Sequence, residues 1–310
     1  MKMKIENRQA LGHICACCAY TIFGFNIVLT KDLTNSHIFT PMSLFTLRSI
    51  GAGLLFWLLS AFKPHEKVEK KDYIQIFFAS LLGYVGTQLT FLVGINYCTP
   101  FDCSIIASLG PVFTMLVAAV VLKEPITLKK AGGVGISMAG ILLLIFSSTG
   151  VVASDINRMT TPLGIVLLLS NSLLFASYLG IFKPVIQKYS VVTFMKWIFL
   201  FSFMMSAPFS ASDLASVNYA NVPIKIFLEL GYLVLFATFI AYFLIPIGQK
   251  ELRPTLVSLY SYMQPVVASV LGIYLGMDRL STVKVLACAA VVVGVVLVNR
   301  SKAKAQQDIS

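Results

Sequence analysis

Apolar residues fall in runs of about twenty along almost the whole chain, broken by short polar punctuation. A helix needs about 20 such residues to cross a hydrocarbon core roughly 30 Å thick. Ten runs reach that length: 11–30, 41–62, 73–95, 101–122, 128–147, 162–181, 191–208, 226–247, 254–276 and 281–299. None alternates with period two, which excludes a β-barrel. The pattern predicts an all-α integral membrane protein of ten transmembrane helices joined by short loops.

Composition agrees. Of 310 residues, 57% are hydrophobic and 12% charged, where soluble domains carry about 25% charged residues. The mean hydropathy is +0.85. A formal charge of +11 would suggest nucleic acid in a soluble protein. Here the basic residues orient the spans instead, so no nucleic-acid partner is expected; the partners are the lipid bilayer and a small-molecule substrate. Seventeen of the 24 Lys and Arg residues fall in loops and ends assigned to one side, and five on the other. The positive-inside rule then puts both termini in the cytoplasm. The six cysteines lack metal or disulfide spacing. His13, His37 and His65 are isolated, and no paired acidic motif follows them. Neither an enzyme, a metal site nor a cofactor is expected.

The chain also repeats itself. A shift of 154 lays Pro111 on Pro265, Glu124 on Asp278, Lys130 on Lys284, Gly140 on Gly294 and Gly94 on Gly248. Near the start of each half the shift is 152, laying Phe23 on Phe175 and Lys31 on Lys183. Two halves, 1–150 and 151–300, are therefore expected, followed by a polar cytoplasmic tail, 301–310. Five spans per half is an odd number, so the second copy enters from the opposite side. That makes an inverted repeat, a common plan for transporters with a site near the membrane midplane. Pro111 and Pro265 are expected to kink spans 4 and 9, freeing carbonyls where neighbours or cavity water can satisfy them.

The stretch "SLGPVFTMLVAAVVLKEPITLKKAGGVGISMAGILLL" (Ser108 to Leu144), its weaker copy at 261–298 and "FGFNIVLTK" (Phe23 to Lys31) carry a family resemblance. They resemble the drug/metabolite transporter superfamily, and within it the EamA-type ten-helix permeases, over roughly residues 10–300. The second copy departs at Asp278 and at Met263-Gln264, and Phe23 stands where the family usually has Trp. The resemblance implies a central cavity between two repeats, alternating access, and export of metabolites such as amino acids or drugs across the bacterial inner membrane.

Polar side chains inside a span favour the bundle interior or a wet cavity. Tyr84 and Gln88 share one face of span 3, and their repeat mates are Thr238 and Tyr242. Ser104, Ser108 and Pro111 share a face of span 4, mated to Ser258, Tyr262 and Pro265. Tyr20 and Asn26 in span 1, Asn171, Ser172 and Tyr178 in span 6, and Gln264 beside Pro265 complete the candidate lining. Packing between helices is the competing role for each. Arg48 and Lys196 are the two charges within spans, and such a pair would suit a carboxylate or phosphate. Small residues every fourth position, Ala131, Gly135 and Ala139 in span 5 with Ala290 and Gly294 in span 10, allow close helix contact. That contact lies within a monomer or builds a homodimer.

A carrier of small metabolites is the leading reading. The alternatives are a translocator of phosphorylated or nucleotide-linked sugars, which would need more inward cations than two, and a receptor without transport.

Overall fold

The computed structural model describes residues 2–97, 106–107, 109–148, 161–264, 266–267 and 282–300. Among them, six helices are long and apolar enough to cross a membrane: Arg8–Asn35, Pro41–Ala61, Lys70–Tyr97, Pro162–Ile181, Val191–Ser216 and Ile224–Glu251. These correspond to spans 1, 2, 3, 6, 7 and 8. Gly110–Val121 and Leu128–Ser148 stand at spans 4 and 5, and Pro254–Leu259 and Thr282–Arg300 at spans 9 and 10. No strand occurs among the described residues.

Local chemistry sets the helix starts. Thr40 and Thr161 each accept a hydrogen bond from the backbone N–H three residues on, with a proline directly after the cap. A proline there gives up an N–H that has no helical partner anyway. Ser190 caps span 7 in the same way, and its own N–H and hydroxyl donate to the Glu66 carboxylate. The outer surface is apolar, with Leu54, Phe62, Val120 and Leu128 exposed, as a lipid-facing surface requires.

The packing follows the repeat. Span 2 packs on span 7, span 4 on span 9's first turns, and span 5 on span 10, each pair being repeat mates. Span 1 packs along the second half of span 8, and span 6 along the second half of span 3. Exchanging the two halves of the sequence therefore returns the same set of contacts. Lys31 and Lys183 obey the same symmetry. Each reaches from the end of its half's first span to a carbonyl at the end of the third, Lys31 Nζ to Ile95 O and Lys183 Nζ to Leu252 O, both 2.7 Å. A cation suits the negative end of a helix.

Spans 3 and 8 are interrupted at matched places. Leu81–Gly86 and Leu233–Ile240 wind as π-helix. π turns leave carbonyls to be satisfied in other ways. Threonines do so here: Thr87 donates to Gly83 O and Tyr84 O, and Thr238 donates to Leu233 O at 2.7 Å.

Around Pro111 the described backbone is helical at 106–107, turns at Leu109, whose N–H donates to Ile106 O, and resumes as the helix Gly110–Val121 with the proline in its first turn. In the second half, a tight 3-10 turn, Tyr260–Tyr262, stands at the same repeat position. Pro265 and Ser104 lie outside the described residues. One expectation needs correction, the small-residue face of span 5. The close contact of spans 5 and 10 runs through Gly133, Ser137 and Gly294. A Cβ on Gly294 would run into Ser137 and Gly133 O, whereas nothing lies within 4 Å of one on Gly135. Ala139 and Gly135 instead face outward. The spacing of four is real, but it continues around the helix, and the larger residue Ser137 sits on the packed face.

Candidate functional site

A cavity of ≈ 130 Å³ opens between spans 1, 3, 4, 6, 8 and 9. Its central wall is built from repeat mates facing each other: Tyr20 and Ser172, Phe23 and Phe175, Gln88 and Tyr242, Ala107 and Ser261, Gly110 and Gln264. The loosened backbone ahead of each proline position thus lies on the cavity. Gln88 Nε2 donates to the Tyr242 hydroxyl at 2.9 Å, closing a bridge between the two halves.

Much of the rest of the lining is one-sided, with Thr114 and Ser258 set apart because their mates lie outside the described residues. Asn26, Ile27, Phe91, Leu168 and Asn171 also border the cavity. Their mates Tyr178, Leu179, Ile245, Ala16 and Ala19 do not, and each is at most 2% exposed. The cavity therefore runs from the middle toward the face at which Asn35, Tyr97 and Pro162 lie, and it is sealed toward the other face. Several contacts make the seal. The Tyr178 ring lies over Gly83, where a Cβ would overlap it. Gln249 Nε2 donates to Leu179 O at 3.0 Å, joining span 8 to span 6. Gly248 lets span 8 approach Ala16 of span 1.

The sealed face carries a charged network: Lys188 bonds Asp72 and Glu69 at 2.6 and 2.5 Å, and the Tyr189 hydroxyl also donates to Asp72. Hydrogen bonds from Lys188 and Lys71 hold the Glu69 carboxyl below its usual value. Burial pushes Glu66 up, but hydrogen bonds from Ser190 and Thr193 outweigh it and leave it lowered. At the open face, Asp32 of span 1 pairs with Lys225, which also reaches Glu229 of span 8 at 3.5 Å.

Of the side chains singled out in the sequence, Tyr20, Asn26, Gln88, Tyr242 and Gln264 come together on the cavity, with Asn171, Ser172 and Ser258. Tyr84, Tyr178, Thr238 and Tyr262 do not border it and are buried in the bundle. Arg48 is fully buried behind Tyr84 and Tyr242, its Nε donating to Thr238 Oγ1 at 2.8 Å. Lys196 is elsewhere: its ammonium bonds Ser60 Oγ at 2.9 Å and lies 5.0 Å from the Trp57 ring. Trp57, Trp197 and Tyr73 cluster there, in the manner of an interfacial aromatic belt. Its long stem carries the charge out to that belt. Ser108 lies outside the described residues.

Sequence reasoning missed Thr87, Thr114 and Ser261 on the cavity, and the aromatic walls Phe23, Phe91 and Phe175. The register of Phe23 with Phe175 was the available signal for two of the walls. Thr87 has an alanine mate, so no paired polarity marks it.

Comparison with known proteins gives a consistent result. The EamA-like transporter family matches residues 10–146 and again 162–300. An uncharacterized inner membrane transporter of Escherichia coli (strain K12), YedA, is 26% identical over 295 residues, covering 91% of this chain and 89% of that one. An uncharacterized transporter of Bacillus subtilis (strain 168), YyaM, is 22% identical over 73% of each chain. One solved crystal structure shares the fold, with a TM-score of 0.70 at 16% identity, over 94% of this chain and 96% of the other.

Proposed function

Because the chain belongs to the EamA-like transporter family, whose pattern it carries twice, it is a membrane transporter and not an enzyme, and we propose that it carries a small organic solute by alternating access to the cavity between its halves. The observation that carries this reading is the mismatch between a symmetric central wall and a one-sided mouth. In an inverted repeat, each half can adopt the conformation of the other, which moves the mouth to the opposite face. Tyr178, Leu179 and Ile245 would then border the cavity, and Asn26, Ile27 and Phe91 would be sealed. The Lys-rich loops lie on the sealed face, so the positive-inside rule makes the present mouth the outer one. The lining offers hydroxyls, amides and aromatic rings with no fixed charge. This favours an amino-acid-sized metabolite over a sugar phosphate, which needs several cations. Export across the inner membrane, with both termini cytoplasmic, is the direction the family resemblance favours.

Single cysteines in a background without native ones test the reading. Phe91→Cys should react with a membrane-impermeant thiol reagent from the mouth side only. Its mate, Ile245→Cys, should react from the opposite side only, and more slowly. A position 245 that never reacts from that side in folded, membrane-inserted protein would rule out alternation.

A further inference from the structure

Arg48 has no place in the cavity lining, yet its environment is built for a ligand. The side chain is 0% exposed. Its Nε is occupied by Thr238 Oγ1, whose own proton goes to Leu233 O in the π-helical turn. Nη1 and Nη2, the end-on pair of the guanidinium, bond nothing. No described ion pair includes Arg48. The Tyr84 hydroxyl beside it is also buried, close to the Ser49 and Thr238 hydroxyls but in good hydrogen-bond geometry with neither. Two parallel N–H donors plus one O–H donor match the two oxygens of a carboxylate. A buried cation left without an anion is among the most costly arrangements a protein can hold.

The Gln88–Tyr242 bridge lies between this group and the cavity. Both residues line the cavity, Tyr242 is Arg48's electrostatic neighbour, and the Gln88 Oε1 is itself buried and unpartnered. The bridge is made by repeat mates at the junction of the two halves, so it parts when the halves move.

We propose that Arg48 and Tyr84 form a carboxylate-anchoring subsite behind the Gln88–Tyr242 bridge, so that the transported solute carries a monoanionic carboxylate. The proposal rests on the carrier reading. One cation is present and Lys196 is engaged at the aromatic belt, so the subsite suits a monoanion and not a phosphate dianion.

Thermal unfolding of purified protein in lipid nanodiscs tests this, with neutral L-amino acids, their carboxamides, sodium phosphate, sodium chloride and uncharged sugars and purines as probes. At least one amino acid should raise the midpoint while its carboxamide does not. Arg48→Lys, which keeps the charge and loses the fork, should weaken that response about tenfold or more. Arg48→Met should abolish it and raise the ligand-free midpoint by about 2–4 °C, because it removes an unpaired buried charge. A structural arginine would give the opposite sign, a lower midpoint with the ligand response retained, and that result overturns the proposal. So do equal shifts by acid and carboxamide, or shifts by phosphate or chloride alone. Shifts by sugars or purines without any by carboxylates overturn the anchor and leave the carrier reading standing. Silence from every probe overturns the anchor, and counterflow then decides the carrier reading separately.

Discussion

Gln249→Leu isolates one tie in the sealed face. Gln249 is fully buried, and its Nε2 donates to Leu179 O across spans 8 and 6. Leu179 stands in the last turn of Pro162–Ile181, where carbonyls lack helical partners. Its mate at the mouth is Ile27, and the mate of Gln249 is Ile95, so no equivalent bond exists on the open side. A buried carbonyl left without a donor costs about 1–3 kcal/mol. Gln249 Oε1 is itself unpartnered, and removing it offsets part of that loss. A net penalty of about 1–2 kcal/mol is therefore expected for the present conformation alone, because water reaches Leu179 O once the face opens. At 1.4 kcal/mol per factor of ten, the opposite conformation gains about 5–30-fold in population. With Ile245→Cys as reporter, the rate of thiol labelling from the sealed side should rise by that factor. Labelling from the mouth side at Phe91→Cys should not rise. An unchanged rate at position 245 in folded protein would refute the reasoning.

Three further outcomes follow from the geometry. Glu124→Gln should destabilise the fold by about 3–5 kcal/mol by stranding the buried Lys130, which sits 2.6 Å from that carboxylate. Adding Lys130→Met should recover most of the loss in detergent unfolding assays, and a purely additive double variant would count against the pair. Gly294→Val should cost about 1–3 kcal/mol by overpacking against Gly133 and Ser137, while Gly135→Val, with open space around it, should leave the unfolding midpoint unchanged. Glu66 and Glu69 are both lowered from 4.5, so they favour the folded state above that pH and lose the contribution as pH falls through their folded values. The unfolding midpoint should be level near neutrality and fall below about pH 4.5, with a shallower fall in Glu66→Gln.

Much of this architecture was legible from periodicity alone. Runs of apolar residues gave the spans, and two prolines in register gave the repeat, because lipid demands length and helices demand i+4 spacing. Asn26, Gln88 and Tyr242 were legible too, since an amide or phenol in hydrocarbon must find a polar partner or a cavity. The sequence was silent on conformational state. Asn26 and Tyr178 are mates, and nothing in either residue says which is open to the cavity and which packs over Gly83. Depth counted along one helix also left Lys196 open between the cavity and the interface, because a flexible stem can carry its charge either way, here to Ser60. The π-helical turns were not foreseeable either: Thr87, Thr90 and Thr238 all donate to carbonyls in or beside them, but threonines do the same in regular helix, as Thr46 does to Met42 O.

Counterflow in proteoliposomes tests the central claim most directly. Vesicles loaded with one unlabelled compound would be given labelled amino acids, purines, sugars or a sugar phosphate outside. A single cavity that alternates between faces predicts saturable exchange of the amino-acid class, abolished by Arg48→Met and without net flux of the sugar phosphate. Well-folded protein that binds a compound yet exchanges none of it would contradict the account and leave a receptor in place of a carrier.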